Sequence, residues 1–173
     1  MKKKTRVVKN IREIKRREED NPPVQHFADK GMEIVMITSE ARPFAMTGGL
    51  ADVSASLSEA LAERGSKVTV IMPYYKHIMH RHSSKLRSPF APLQVPLVGR
   101  IEHAKILELK KSPNLRYLFI EYNRFFDRPA IYDWNGIEYG DNAERFIFFS
   151  RAAMQAMIAL EMRPDIIHAH DWH

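Results

Sequence analysis

Ile34-Val35-Met36-Ile37, Thr47-Gly48-Gly49-Leu50-Ala51-Asp52-Val53 and Val68-Thr69-Val70-Ile71-Met72 follow one another along the chain, and their order decides the fold. The first and third are short, β-branched and almost wholly apolar, the pattern of strands buried on both faces of a sheet. Between them Leu50, Val53, Leu57 and Leu61 recur at helical spacing. Gly65 follows where a helix ends on a left-handed residue, and Pro73 closes the second apolar run. Strand, Gly-containing turn, helix, strand is a βαβ unit, which predicts an α/β fold with a mainly parallel sheet.

Toward the C-terminus the signal weakens and then returns. Residues 74–92 hold scattered His, Lys and Ser without a period and read mostly as loop. Residues 93–109 and 115–121 read as two strands around the turn Lys111-Ser112-Pro113-Asn114. Asp141 and Glu144 have capping-box spacing, and Ala143, Ile147, Ser150, Met154 and Met157 form the apolar face of the helix that follows. Pro164 then leads into Asp165-Ile166-Ile167-His168-Ala169-His170, a strand with a polar tip at the carboxyl edge of the sheet.

Toward the N-terminus, Asn21-Pro22-Pro23 interrupts any helix begun earlier, because proline lacks the amide donor and restricts its predecessor. Residues 1–31 are therefore expected to be a basic extension and residues 32–173 the folded body. Met32 stands directly before the first apolar run, where an internal start would fall. Residues 2–20 carry nine Lys or Arg against four Asp or Glu, a surplus of five out of the net charge of +6. The sequence pI near 9.6 thus belongs to the tail. With no apolar h-region the tail is no secretory signal, and it reads as a solvated, partly helical segment rather than a nucleic-acid or membrane-surface binder. No apolar run approaches the roughly 20 residues that span a bilayer. Cysteine is absent, which excludes disulfides and thiolate metal sites and fits a cytoplasmic protein.

Three groups of residues carry chemistry. Thr47-Gly48-Gly49 sits where a strand hands over to a helix; paired glycines admit close approach of a ligand, and helix N-terminal amides favour an anion such as a diphosphate. The alternative is a tight turn that binds nothing. The G-x-G-x-x-G of dinucleotide-binding proteins is absent, which disfavours NAD. His168-Ala169-His170-Asp171-Trp172-His173 ends the last strand, where ligands of open α/β sheets bind. It reads as a ligand-contacting or hydrogen-bonded cluster more readily than as a metal site. Phe126-Asp127-Arg128-Pro129-Ala130-Ile131-Tyr132 with Tyr139-Gly140-Asp141-Asn142 combines aromatic faces with polar groups, as sugar recognition requires, and equally suits a structured loop. Ser39-Glu40 adds a carboxylate at the same edge.

From Met32 onward these motifs resemble, in order and spacing, the ADP-glucose-dependent glycogen and starch synthases, the retaining glycosyltransferases of family five. The resemblance rests on Ile37-Thr38-Ser39-Glu40 with Pro43, on Thr47 to Val53, on Ile71-Met72-Pro73-Tyr74-Tyr75, on Phe126 to Pro129 with Tyr132, on Asp141-Asn142 with Arg145-Phe146, and on Pro164 to His173.

It implies an incomplete N-terminal, Rossmann-like lobe of a two-lobed GT-B enzyme that transfers glucose from ADP-glucose to the non-reducing end of an α-1,4-glucan. It further implies Tyr132 and Asp171 as catalytic-cleft residues, Glu40 as acceptor-binding, and Met46, Thr47, Gly48 and Gly49 as the donor-binding loop. No metal, cofactor, nucleic acid or membrane partner is expected. At position 46 the family pattern has lysine, and beyond His173 the family continues into a second lobe that holds most of the nucleotide site. The chain alone is therefore expected to be inactive, with a separate chain supplying the second lobe as one implied partner. The alternative is a non-catalytic glucan- or nucleotide-binding remnant of the family.

Overall fold

The computed structural model describes residues 31–173, so the basic extension expected over residues 1–31 falls almost wholly outside the described residues. The body is a six-stranded mixed sheet. Its parallel part comprises β5 (Leu115–Glu121), β2 (Lys67–Pro73), β1 (Glu33–Ile37) and β8 (Ile166–Ala169). β3 (Leu93–Leu97) and β4 (Arg100–Ser112) extend it antiparallel at one edge. A two-stranded ribbon, β6 (Asp133–Trp134) and β7 (Ile137–Glu138), stands apart.

The βαβ unit forms as its pattern predicts. β1 and β2 pair in parallel from Glu33↔Lys67 to Ile37↔Ile71, and the helix α1 (Gly49–Glu63) connects them. Gly65 holds φ +91°, a conformation glycine adopts without penalty, just past the helix end. The buried face of α1 differs from the predicted stripe. Ala51, Ser54, Ala55, Ser58 and Ala62 are buried, Leu57 and Leu61 pack at the margin, and Val53 is 55% exposed. Small side chains let the helix lie close to β2 and β5, which leaves its larger apolar residues at the rim.

Three further differences have local causes. The single strand expected over 93–109 is a hairpin, because Val98 and Gly99 turn the chain at φ +21° and +75°. Pro96 is tolerated since β3 is the sheet's edge strand. The 74–92 stretch contains a short helix, α2 (Lys76–Met79), and a 3-10 turn (His80–Lys85), anchored by buried Tyr74, Tyr75 and Met79. The β6–β7 ribbon turns on Asn135-Gly136, both at positive φ, the pairing that two-residue hairpins prefer and a signal present in the sequence itself.

A short helix, α3 (Asn123–Phe126), precedes the ribbon, and the long helix α4 (Asn142–Ala159) follows it. α4 starts where expected, but not through a capping box: Asp141 makes no side-chain cap and instead pairs bidentately with Arg128, and Glu144 pairs with Arg100. Its buried face is Arg145, Phe146, Phe148, Phe149, Ala152, Ala153, Ala156 and Met157. Of the predicted face only Met157 is buried; Ala143, Ile147, Ser150 and Met154 are exposed. The aromatic residues pack instead, Phe148 against Tyr122 and Phe125. The sheet side of the core is closed by Phe44 lying edge-on to Tyr117 and Phe119.

Candidate functional site

β1 is flanked by β2 on one side and β8 on the other, so the chain winds in opposite senses from it, and the crevice beyond its carboxyl end is where open α/β sheets bind ligands. Thr38-Ser39-Glu40 leave β1 there, and His170-Asp171-Trp172-His173 leave β8 beside them, tied by the bond from His170 N–H to the Ile37 carbonyl. Thr38 locks the exit: its hydroxyl donates to the Glu40 carbonyl at 2.9 Å and lies 3.1 Å from Ser54 Oγ of α1.

Glu40 is 3% exposed, far from the solvated carboxylate that its position in a loop would imply. Its Oε1 accepts from Thr47 Oγ1 and from Tyr132 Oη, each at 2.7 Å; its Oε2 accepts from the backbone N–H of Thr47 and, at 3.4 Å, of Gly48. The carboxylate thus fills the near side of the Gly-Gly loop. On the far side the loop is bare: a Cβ added at Gly48 or Gly49 would meet nothing within 4 Å. Neither glycine has positive φ, so neither packing nor backbone conformation demands glycine there.

Tyr132 Oη also lies 2.7 Å from Ser39 Oγ, which in turn lies 2.9 Å from His173 Nδ1. Each hydroxyl has one proton to give. With Tyr132 donating to Glu40, Ser39 must donate to Tyr132, and His173 must donate Nδ1–H to Ser39. The chain therefore has one polarity, running from a neutral Nδ1–H imidazole to the carboxylate. Burial holds the His173 pKa below the ordinary range against the opposing pull of Asp171 and Glu40, which favours the neutral ring. Burial, together with the nearby Glu40 and Asp171 charges, pushes the Tyr132 hydroxyl well up, although its bond with Ser39 acts the other way. The His173 ring stacks on Tyr132 at 4.7 Å, and Phe146 packs edge-on to it at 5.1 Å.

The residues singled out from sequence separate into two sets. Glu40, Thr47, Gly48 and Tyr132 come together in one network. Asp171 stands at its rim, exposed and at φ +59°, with its Oδ1 accepting from Trp172 N–H at 2.9 Å. Gly49 and Met46 face open space beside the loop, Met46 at 60% exposure. His168 and His170 stack at 4.1 Å, with His170 Nε2 buried and without a hydrogen-bond partner among the described residues. Ser39 and His173 stood inside quoted motifs, but nothing in their spacing announced that they meet. The Arg128–Asp141 pair and Tyr139, whose ring lies 4.6 Å from the Arg128 guanidinium, make that loop a structural clamp from which only Tyr132 reaches the site. A cavity of about 550 Å³ opens at the opposite, amino edge, and its described lining contains no aromatic residue.

Both His170 and His173 have pKa values depressed chiefly by burial. Between the depressed value and the unfolded value near 6.5 the unfolded chain binds more protons, so stability falls as pH is lowered through that window. Thermal unfolding is expected at a lower temperature at pH 5.5 than at pH 7.5, with a smaller difference in His173→Asn. An equal difference in the variant would show that His173 does not contribute.

A mainly parallel sheet with its polar cluster at the switch point defines a Rossmann-like lobe, matching part of the N-terminal lobe of the GT-B fold. The chain belongs to the starch synthase catalytic domain family, whose model matches residues 33–173. It is similar to the glycogen synthases of Elusimicrobium minutum (41% identity) and Thermodesulfovibrio yellowstonii (38%), in each case over 82% of this chain but only 29% and 31% of those proteins. It also resembles the catalytic domain of starch synthase IV from Arabidopsis thaliana bound to ADP and acarbose, with TM-score 0.65 and 32% identity over 83% of this chain and 28% of that one. The chain thus spans about three tenths of the relatives it matches. Among the described residues no helix is long and apolar enough to cross a membrane.

Proposed function

We propose that this chain is the first-lobe portion of a cytoplasmic glucosyltransferase that moves glucose from ADP-glucose to the non-reducing end of an α-1,4-glucan with retention. The observation that carries this reading is the Glu40 carboxylate, buried against the Gly-Gly loop and joined to Tyr132 at the carboxyl edge of β1. In this role Glu40 and Tyr132 line the acceptor side, and Asp171 presents an exposed carboxylate at the rim. Thr47, Gly48 and Gly49 form the wall facing the donor diphosphate. Because Glu40 occupies the amides of Thr47 and Gly48, the diphosphate is left the α1 first-turn amides from Gly49 onward, which lack an intrahelical acceptor. The open space over both glycines supports this assignment.

The relatives are glycogen synthases, and the similar starch synthase structure is bound to ADP and acarbose, both consistent with a nucleotide-sugar donor and a glucan acceptor. Stabilising the leaving diphosphate demands charge from the opposing lobe, and electrostatic stabilisation of this kind is usually the largest catalytic contribution. Methionine in place of the family lysine at position 46 favours the alternative reading, a non-catalytic glucan- or nucleotide-binding remnant.

Two measurements on the 173-residue chain test the proposal. Radiolabelled ADP-glucose with glycogen is expected to give incorporation no higher than a blank. Acarbose or maltohexaose is expected to shift the NMR signals of Tyr132, Trp172 and His173 and leave those at the amino edge of the sheet unmoved. Absence of any shift at the site at millimolar oligosaccharide would remove the acceptor assignment.

A further inference from the structure

We propose that Arg145, together with Asn142, is a positioning residue that sets Tyr132 against Glu40. Tyr132 lies between α3 and the β6–β7 ribbon, in a stretch without regular backbone pairing, yet its ring satisfies Glu40 and Ser39 at 2.7 Å each and stacks on His173. Its placement comes from the first turns of α4. Arg145 Nε donates to the Phe125 carbonyl at 2.8 Å, and its Nη1 donates to the Ile131 carbonyl at 3.0 Å and to Asn142 Oδ1 at 2.7 Å. Asn142 Nδ2 donates to the Tyr132 carbonyl at 2.9 Å, which also accepts from Tyr139 N–H at 3.1 Å. One guanidinium fork therefore holds both ends of the 125–131 segment, and its neighbour holds the next carbonyl.

The choice of arginine supports a positioning role. Arg145 is 0% exposed, and all three groups accepting its hydrogen bonds are neutral. The neighbouring carboxylate of Asp141 is engaged with Arg128. A buried charge without a contacting counter-charge is costly, and an apolar side chain would fill the same space more cheaply. What an apolar residue cannot do is grip two carbonyls at fixed separation, which the rigid fork does and a lysine ammonium does not. The following residue completes the device: the Phe146 ring packs on Tyr132 at 5.8 Å and on His173 at 5.1 Å.

The effect on glucan affinity rests on the function proposed above; the effect on Tyr132 geometry does not, and the test separates the two. In the ligand-free chain, NMR of the wild type is expected to show a nuclear Overhauser contact between the Tyr132 and His173 rings. Arg145→Lys is expected to unfold cooperatively as the wild type does and to lose that contact. Its maltohexaose affinity is expected to fall about tenfold, with no further loss on adding Tyr132→Phe, because coupled residues are non-additive. Retention of the ring contact in Arg145→Lys, or losses that multiply in the double variant, would overturn the proposal. If the wild type binds no oligosaccharide the function reading fails, and the ring contact alone decides this one. Should Arg145→Lys fail to fold, Asn142→Ala serves instead, with loss of the ring contact expected and its retention counting against the proposal.

Discussion

Glu40→Gln should reverse the direction of the hydrogen-bond chain at the site. The amide keeps one oxygen for the Thr47 and Gly48 N–H groups, but its NH2 then faces Thr47 Oγ1 and Tyr132 Oη, which must become acceptors. Tyr132 is left to donate to Ser39, and Ser39 to His173 Nδ1. The His173 proton is therefore expected to move from Nδ1 to Nε2, a change that nitrogen-15 chemical shifts read directly. Glu40→Ala is the harsher variant, since it removes an acceptor shared by four donors and leaves the half-buried Tyr132 hydroxyl with only Ser39. Hydrogen bonds to charged groups are each worth about 1.5–3 kcal/mol, but the Thr47 and Gly48 donors can turn to water. A net loss of about 2–3 kcal/mol follows, or roughly 10 °C in melting temperature. An unchanged tautomer in Glu40→Gln together with an unchanged melting temperature in Glu40→Ala would mean that the carboxylate does not organise this edge.

Met46→Lys is expected to tighten donor binding about tenfold to a hundredfold, the equivalent of one charge-assisted contact worth about 1.5–3 kcal/mol. Met46 is well exposed beside the bare glycines, so the substitution disturbs no packing and stability should hold. The measurement belongs in a form of the protein that carries its second lobe, because in an open cleft solvent and salt screen the new charge. Calorimetric titration of ADP-glucose into both forms compares the affinities directly. Equal values would place residue 46 away from the phosphates and withdraw the donor role of the loop at that position.

Local patterns foretold much of this chain. The apolar runs at 34–37 and 68–72, the helical spacing between them, the left-handed glycine at 65 and the turn at Pro113-Asn114 each act over a few residues, where backbone sterics and side-chain periodicity decide. The position of Glu40, Thr47 and Asp171 at the carboxyl edge followed from the strand ends. Which face of each helix would be buried did not follow, because α4 carries large apolar residues on both sides: Phe146, Phe148 and Phe149 on one, Ile147 and Met154 on the other. Contact with the sheet chose between them, and for α1 close approach favoured alanine and serine over leucine.

The site depended still more on tertiary structure. Ser39, Tyr132 and His173 are separated by 93 and 134 positions along the chain, measured from Ser39, and no spacing rule links them. Parallel pairing of β8 with β1 brings His173 to Ser39, and the Arg145 fork brings Tyr132 to both. The sequence by itself determined the elements, the edge and the residue types available there. Only the folded chain decided that Glu40 would be buried, that His173 would present Nδ1–H to Ser39, and that the network would run in one direction, because burial and hydrogen-bond polarity belong to groups that become neighbours only after folding.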